Sequence, residues 1–137
     1  MREPTVPIAQ EILDRLRHEL AGARFAYVFG SVLTAAFAEE SDVDVAVDFG
    51  APLAPARRMA LLASLAAALG RDVDLVDLRR ADPVIKMQVL RYGRPLLVND
   101  QPACNAFAMT TISEYLDFKL DRAPVEAMIA RTRAVPG

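Results

Sequence analysis

The sequence predicts an α/β fold: a small mixed β-sheet flanked by helices. Three observations lead there. Helical and strand-like segments alternate along the chain in the order α, β, α, β, α, β, α, β, α. Two short stretches, "DVDVAVDFG" at 42–50 and "DVDLVDL" at 72–78, alternate acid and aliphatic with a period of two, the mark of a strand with one core face. Between them "PARRMALLASLAAALG" at 55–70 carries an apolar stripe at helical spacing. At 137 residues, 53% of them hydrophobic and 25% charged, the chain has the size and composition of a single globular domain spanning 1–137.

Taken in order, the first helix covers 7 to about 21. Ile8, Ile12, Leu13, Leu16 and Leu20 make its apolar face, and Pro7 suits its first turn. His18 lies among charged positions of this helix and reads as a surface residue. "RFAYVFG" at 24–30 is a strand ending in a turn at Gly30, and "SVLTAAFA" after it reads as a short helix. In the strand at 42–50, Val43, Val45 and Val47 share one face, and Asp42, Asp44, Ala46 and Asp48 share the other. The helix at 55–70 opens at Pro55 and closes at Gly70, with Met59, Leu62, Leu65, Ala66 and Leu69 turned inward.

After the strand at 72–78, "DPVIKMQVLRYG" at 82–93 reads as a helix and "PLLVND" at 95–100 as an edge strand entered by Pro95. The last helix is expected over about 102–122. Ala108, Ile112, Tyr115, Leu116, Lys119 and Leu120 are its expected core stripe, with a restart at the Thr111–Glu114 capping box as the alternative. Residues 123–137, basic and containing Pro124, are expected to form a loosely held tail.

Composition narrows the function classes. A formal net charge of −2 argues against a general nucleic-acid binder, so no direct nucleic-acid partner is expected. The longest apolar run, 59–70, falls short of the ~20 residues that span a bilayer, so no membrane association is expected. The single cysteine, Cys104, can form no intrachain disulfide and reads as an inert helix residue; the N-terminus lacks a signal-type apolar core, and a cytoplasmic location is expected.

The chemistry concentrates in "GSVLTAAFAEESDVDVAV", residues 30–47. Asp42 and Asp44 leave the same face of one strand about 6.6 Å apart. At an effective dielectric near 20 their charges repel by about 2.5 kcal/mol. A divalent cation reverses that sign, and a hard ion such as Mg²⁺ takes carboxylate oxygens while keeping sites for water and phosphate. If the strand at 72–78 pairs alongside, Asp74 joins the cluster, and three carboxylates can hold two ions. Gly30 admits a phosphate close to the backbone, the following helix N-terminus offers free N–H groups, and Ser31 adds a hydroxyl. Read alone, each feature is more often structural. Asp42 suits a turn cap and Asp44 a solvated strand position, and only the ten-residue gap between Ser31 and Asp42, the strand–turn–helix context and the later acidic strand make them one site.

This pattern resembles the signature of the DNA polymerase β-type nucleotidyltransferases, a Gly-Ser followed at this distance by Asp-x-Asp among aliphatics. The small size, "VDLVDL", "VLRYGRPLLVND" and "EYLDFKLDR" are similar to the minimal nucleotidyltransferases, and the likeness runs from about Ile8 to Arg122. The resemblance implies a polymerase β-like fold. It implies an antitoxin, paired with a HEPN-type ribonuclease toxin as a hetero-oligomer, that silences the toxin by moving AMP from ATP to a toxin tyrosine. It also implies that Gly30 and Ser31 hold the phosphates, that Asp42, Asp44 and Asp74 bind Mg²⁺ as two ions, and that Asp74 or Asp42 is the base. Two alternatives stand beside it: an antitoxin that only masks its toxin, and a small-molecule nucleotidyltransferase, for which the chain has little room.

One departure bears on the site. Relatives carry an arginine and other polar residues soon after the Gly-Ser, whereas here the stretch is "VLTAAFAEE". Either Arg79, Arg80 or Lys86 compensates or nucleotide binding is weak, and these three cations read equally as a solvated basic face. Asp72 reads as a strand-start residue, with a group supporting the metal ligands from behind as the alternative, and Asp48 lies too far along its strand to join the site. Phe107 and Phe118, off the expected core stripe of the last helix, read either as core under a wrapped helix or as a docking surface, and the docking reading makes the helix, with Arg131 and Arg133 of the tail, part of the expected toxin contact.

Overall fold

The computed structural model describes residues 7–38 and 40–134, with side chains described for 9–38 and 40–120. In chain order it forms α1 (Pro7–Glu19), β1 (Phe25–Phe29), a single 3₁₀ turn (Gly30–Leu33), β2 (Val43–Asp48), α2 (Pro55–Leu69), β3 (Val73–Asp77), α3 (Pro83–Tyr92), β4 (Arg94–Val98) and α4 (Gln101–Ala134). The sheet runs β3-β2-β1-β4 and is mixed. β1 is antiparallel to both β2 and β4, and β2 is parallel to β3.

Period-two alternation divides the strands between two cores. Val43, Val45, Val47, Ala26, Val28, Leu75 and Leu96 pack under α1 and α2 with Ile12, Leu16, Leu20, Leu65 and Leu69. Phe25, Tyr27 and Ala46 face the other way, onto Val89 of α3 and Cys104 of α4. The acidic positions of β2 therefore lie on the α3–α4 face. Cys104 lies in α4 and is buried, with its Sγ 3.9 Å from the Tyr27 hydroxyl; His18 is exposed, as a surface residue of α1 should be. In α2 the expected stripe holds at Leu65 and Leu69, but Met59, in its second turn, is 72% exposed. Gly70 ends α2 in the left-handed region, at φ 66°.

Two helices depart from expectation. The segment after Gly30 makes one turn rather than a helix to residue 38. The Thr34 backbone N–H and its Oγ1 both donate to Ser31 O at 2.9 Å, and Ala36 N donates to Thr34 Oγ1, so the side chain closes the turn where a longer helix would continue. The last helix does not restart at Thr111. It begins at the Asp100 side chain, which accepts from Ala103 N at 3.0 Å, and runs through Pro124 to Ala134. A proline inside a helix removes one backbone hydrogen bond without dictating that the helix end. The expectation of a loose tail over 123–137, and of a contact role for Arg131 and Arg133, falls outside the residues whose side chains are described.

The face of α4 is the larger correction. Cys104 and Thr111 are buried, at 6% and 1% exposure, and the Phe107 ring sits 5.3 Å from Phe25 and 5.9 Å from Tyr27. Phe107 is thus a core wedge, and Phe118, on the same side, is half-buried. The expected core stripe is largely the outer one: Ile112, Leu116 and Leu120 are exposed, as is Met109 beside them. Apolar residues encircle this helix, so apolar spacing alone selects no face.

Candidate active site

One end of the sheet gathers the end of β1, the 3₁₀ turn and the starts of β2 and β3. Asp44 and Asp74 stand directly opposite each other in the parallel β2–β3 register, so their side chains leave one face side by side. The Asp44 carboxyl is half-buried beside Asp74. Burial first, then the charges of Asp74 and Asp42, push its pKa above the ordinary carboxylate value. Asp42, just before β2, and Asp74, on the edge strand, are both exposed. None of the three forms an ion pair with a lysine or arginine among the described residues.

The Gly-Ser turn touches this cluster directly. Phe29, the last residue of β1, pairs with Asp44 across the antiparallel register. Gly30 follows at φ +80°, and a Cβ there would run into the Asp44 carboxylate. The missing side chain makes room first for Asp44. Turn and carboxylate occupy adjoining space, and neither tolerates a bulkier neighbour.

The donor set suits a hard divalent cation: carboxylate oxygens crowded together, a raised acid and no protein countercharge. Among the described residues, however, no three His, Cys, Asp or Glu side chains already stand as a ready metal cage. Asp44 and Asp74 are adjacent, while Asp42 acts on Asp44 at longer range.

The remaining acidic and basic residues sort clearly. Asp48 is buried at the far end of β2, accepting from Arg24 Nε at 2.9 Å and Gly50 N at 2.7 Å, and serves the fold. The Asp72 carbonyl accepts from Val43 N at 3.1 Å, as a strand-start residue would. The three expected compensating cations are engaged elsewhere. Arg79 lies 3.9 Å from Asp48, Arg80 donates to Leu53 O at 3.2 Å, and Lys86 lies 3.3 Å from Glu114. Arg79 and Arg80 follow the C-terminal end of β3, whereas Asp74 lies near its start. The apolar spacer has a structural use instead, since Val32 and Phe37 are buried and close the α1–α2 core beneath the turn. Sequence reasoning missed Arg71, which enters β3 at this end.

Comparison with known proteins agrees with this geometry. Residues 10–102 match the family model described as polymerase beta, nucleotidyltransferase. The protein adenylyltransferase MntA of Shewanella oneidensis is 36% identical over 125 residues, which span 90% of this chain and 89% of that one. Among solved structures, a toxin-antitoxin with AMP-PNP aligns with TM-score 0.72 and 35% identity, covering 92% of this chain and 98% of that one. A tri-AMPylated Shewanella oneidensis HEPN toxin in complex with its MNT antitoxin aligns with TM-score 0.68 and 35% identity, covering 93% and 97%. No helix among the described residues is long and apolar enough to cross a membrane.

Proposed function

The chain belongs to the polymerase beta nucleotidyltransferase family, and on that footing we propose that it is a cytoplasmic antitoxin that adenylylates a HEPN-type ribonuclease toxin. The relatives named above carry that activity and that partner, and they match this chain over nearly its full length. The observation that carries the proposal is the contact between Gly30 and Asp44, with Asp74 beside it, because it makes the turn and the carboxylates one site.

In this reading Gly30 and Ser31 take the phosphates of ATP. Asp42, Asp44 and Asp74 hold Mg²⁺, which when bound neutralises the triphosphate and supports departure of pyrophosphate. The toxin tyrosine oxygen bonds to the α-phosphorus, the bond from that phosphorus to pyrophosphate breaks, and the hydroxyl proton passes to a carboxylate. Asp74, exposed on the edge strand, is the base an incoming hydroxyl meets first; Asp42 is the other candidate.

The test incubates the purified protein and its co-expressed toxin with ATP labelled at the α-phosphate and with Mg²⁺, then maps the label by mass spectrometry. Label on a toxin tyrosine, lost with EDTA and with Asp44→Asn, supports adenylylation. An unlabelled toxin that is still inhibited marks a masking antitoxin, and label on neither protein with an active toxin overturns the antitoxin reading altogether.

A further inference from the structure

Arg71 stands at the entrance to β3, three residues before Asp74, and its side chain reaches back across the spacer. Its Nη1 donates to Ala38 O at 2.9 Å and to Ser41 O at 3.1 Å. Its guanidinium carbon lies 4.7 Å from the centre of the Phe37 ring. One planar head thus grips three points of the loop that joins the Gly-Ser turn to Asp42. The loop's own bonds are few: Phe37 N to Thr34 O at 3.3 Å, Ser41 N to Ala38 O at 3.1 Å, and Ala38 N to Ser41 Oγ at 2.9 Å. Phe37, the residue under the guanidinium, is itself buried in the α1–α2 core. Arg71 therefore ties loop, core and β3 together at one spot.

A second observation separates this arginine from an ordinary surface clamp. Arg71 Nε is buried and has no hydrogen-bond partner. A buried unsatisfied donor is a cost, and natural chains retain such costs where geometry serves function. Lysine, with a point charge and no planar fork, cannot hold two carbonyls and stack on a ring together.

Resting on the proposed adenylyltransferase reading, we infer that Arg71 is a positioning residue: it fixes the loop carrying Asp42 relative to β3, and so sets where Asp42 stands with respect to Asp44 and Asp74. It acts on the loop backbone from the β3 side. It touches no substrate. Its effect passes through the placement of Asp42, and a misplacement of about 1 Å at a reacting centre can cost on the order of 100-fold in rate.

The experiment compares the full chain with Arg71→Lys and Arg71→Ala. Amide hydrogen exchange is read at Ser41 and Val43 and, as the control, at Leu75. Mn²⁺ binding is followed by calorimetry, and AMP transfer to the toxin is followed over a range of Mg²⁺. The expected result is about tenfold faster exchange at Ser41 and Val43 with Leu75 unchanged, since local openings need not involve the whole sheet. Mn²⁺ affinity should fall, and the Mg²⁺ needed for half-maximal transfer should rise about tenfold with the KM for toxin unchanged. Arg71→Lys should lie between Arg71→Ala and the parent. Exchange rising equally at Leu75, with Mg²⁺ dependence unchanged in the folded fraction, would overturn the inference and leave a purely structural role. If Arg71→Ala does not fold, Arg71→Lys alone decides on the same readouts. A parent chain that transfers no AMP refutes the functional reading, and the exchange data then still decide whether Arg71 fixes the loop.

Discussion

The carboxylate end of the sheet and the outer surface of α4 carry opposite kinds of unsatisfied surface. At the sheet end, acids crowd onto one face with no ion-pair partner among the described residues, while the aliphatics between them fill the opposite core. Along α4, apolar side chains go all the way round, and Met109, Leu116 and Leu120 remain 72%, 55% and 70% exposed after the inner face has packed. The chemistry of the first surface suits a cation, and that of the second a protein. Among the described residues, six of the seven large apolar side chains left exposed lie on α3 and α4: Ile85, Tyr92, Met109, Ile112, Leu116 and Leu120. That clustering fits a chain whose relatives are solved with a protein partner.

Loss of the side-chain gap at Gly30 tests the polar region hardest. Gly30→Ala places a methyl group against the Asp44 carboxylate at a backbone φ of +80°, which L residues rarely adopt. The turn must then shift. AMP transfer should drop by on the order of 100-fold, as expected of a displaced reacting centre. Stability should fall by about 1–3 kcal/mol. The check pairs transfer assays with urea melts. Near-parental activity would mean that turn and carboxylate are not one site.

Phe107→Ala tests the apolar region from the inside. Its ring packs on Phe25 and Tyr27, so truncation should cost about 2–4 kcal/mol of stability, below the range for a fully buried ring because Phe107 is only half-buried. Toxin affinity measured well below the melting temperature should hardly change. Leu116→Ser is the mirror case. It should leave the melting temperature nearly untouched and weaken toxin binding by about 1–2 kcal/mol in a calorimetric titration. If the two variants exchange these behaviours, the inner and outer faces of α4 have been assigned the wrong way round.

The two regions also differ in how far their residues could be read without a structure. A strand has a period of two, so "DVDVAV" assigns each residue to a face once any one of them is placed, and Val43, Val45 and Val47 are buried as that pattern requires. The pairing of Asp74 beside Asp44 depends on the order of strands in the sheet, which alternation does not contain. α4 offers no such periodic signal. Its inner face follows Cys104, Phe107 and Thr111, chosen by the aromatic pocket of β1 and not by hydrophobicity along the helix. The spacer misled for a related reason. Its alanines and leucine favour a helix, yet the bonds from Thr34 to Ser31 O end it after one turn, and Phe37 is drawn into the core. Arg71 gave no signal, because its partners are backbone carbonyls about thirty residues away in sequence.

The smallest effect lies within the carboxylate cluster itself. Asp44 has a folded-state pKa above its ordinary value, chiefly from burial and then from the charges of Asp74 and Asp42. The folded chain therefore binds that proton more tightly than the unfolded chain does. The stability this contributes is present below the ordinary carboxylate pKa of about 3.9 and is lost as pH rises through the folded value. Asp44→Asn removes the charge at every pH. The variant should match the parent at about pH 4 and melt slightly higher near neutrality, by about 1 kcal/mol or less, because the site is open enough for solvent to screen much of the repulsion. Mg²⁺ should erase the neutral-pH difference by raising the parent alone, since the variant has lost a ligand oxygen with full charge. Thermal melts of both chains at the two pH values, with and without Mg²⁺, give the answer in four comparisons. A variant that is less stable than the parent at neutral pH without metal would make Asp44 a structural residue, and the likeness between the two regions, each left open for something it binds, would break at its polar half.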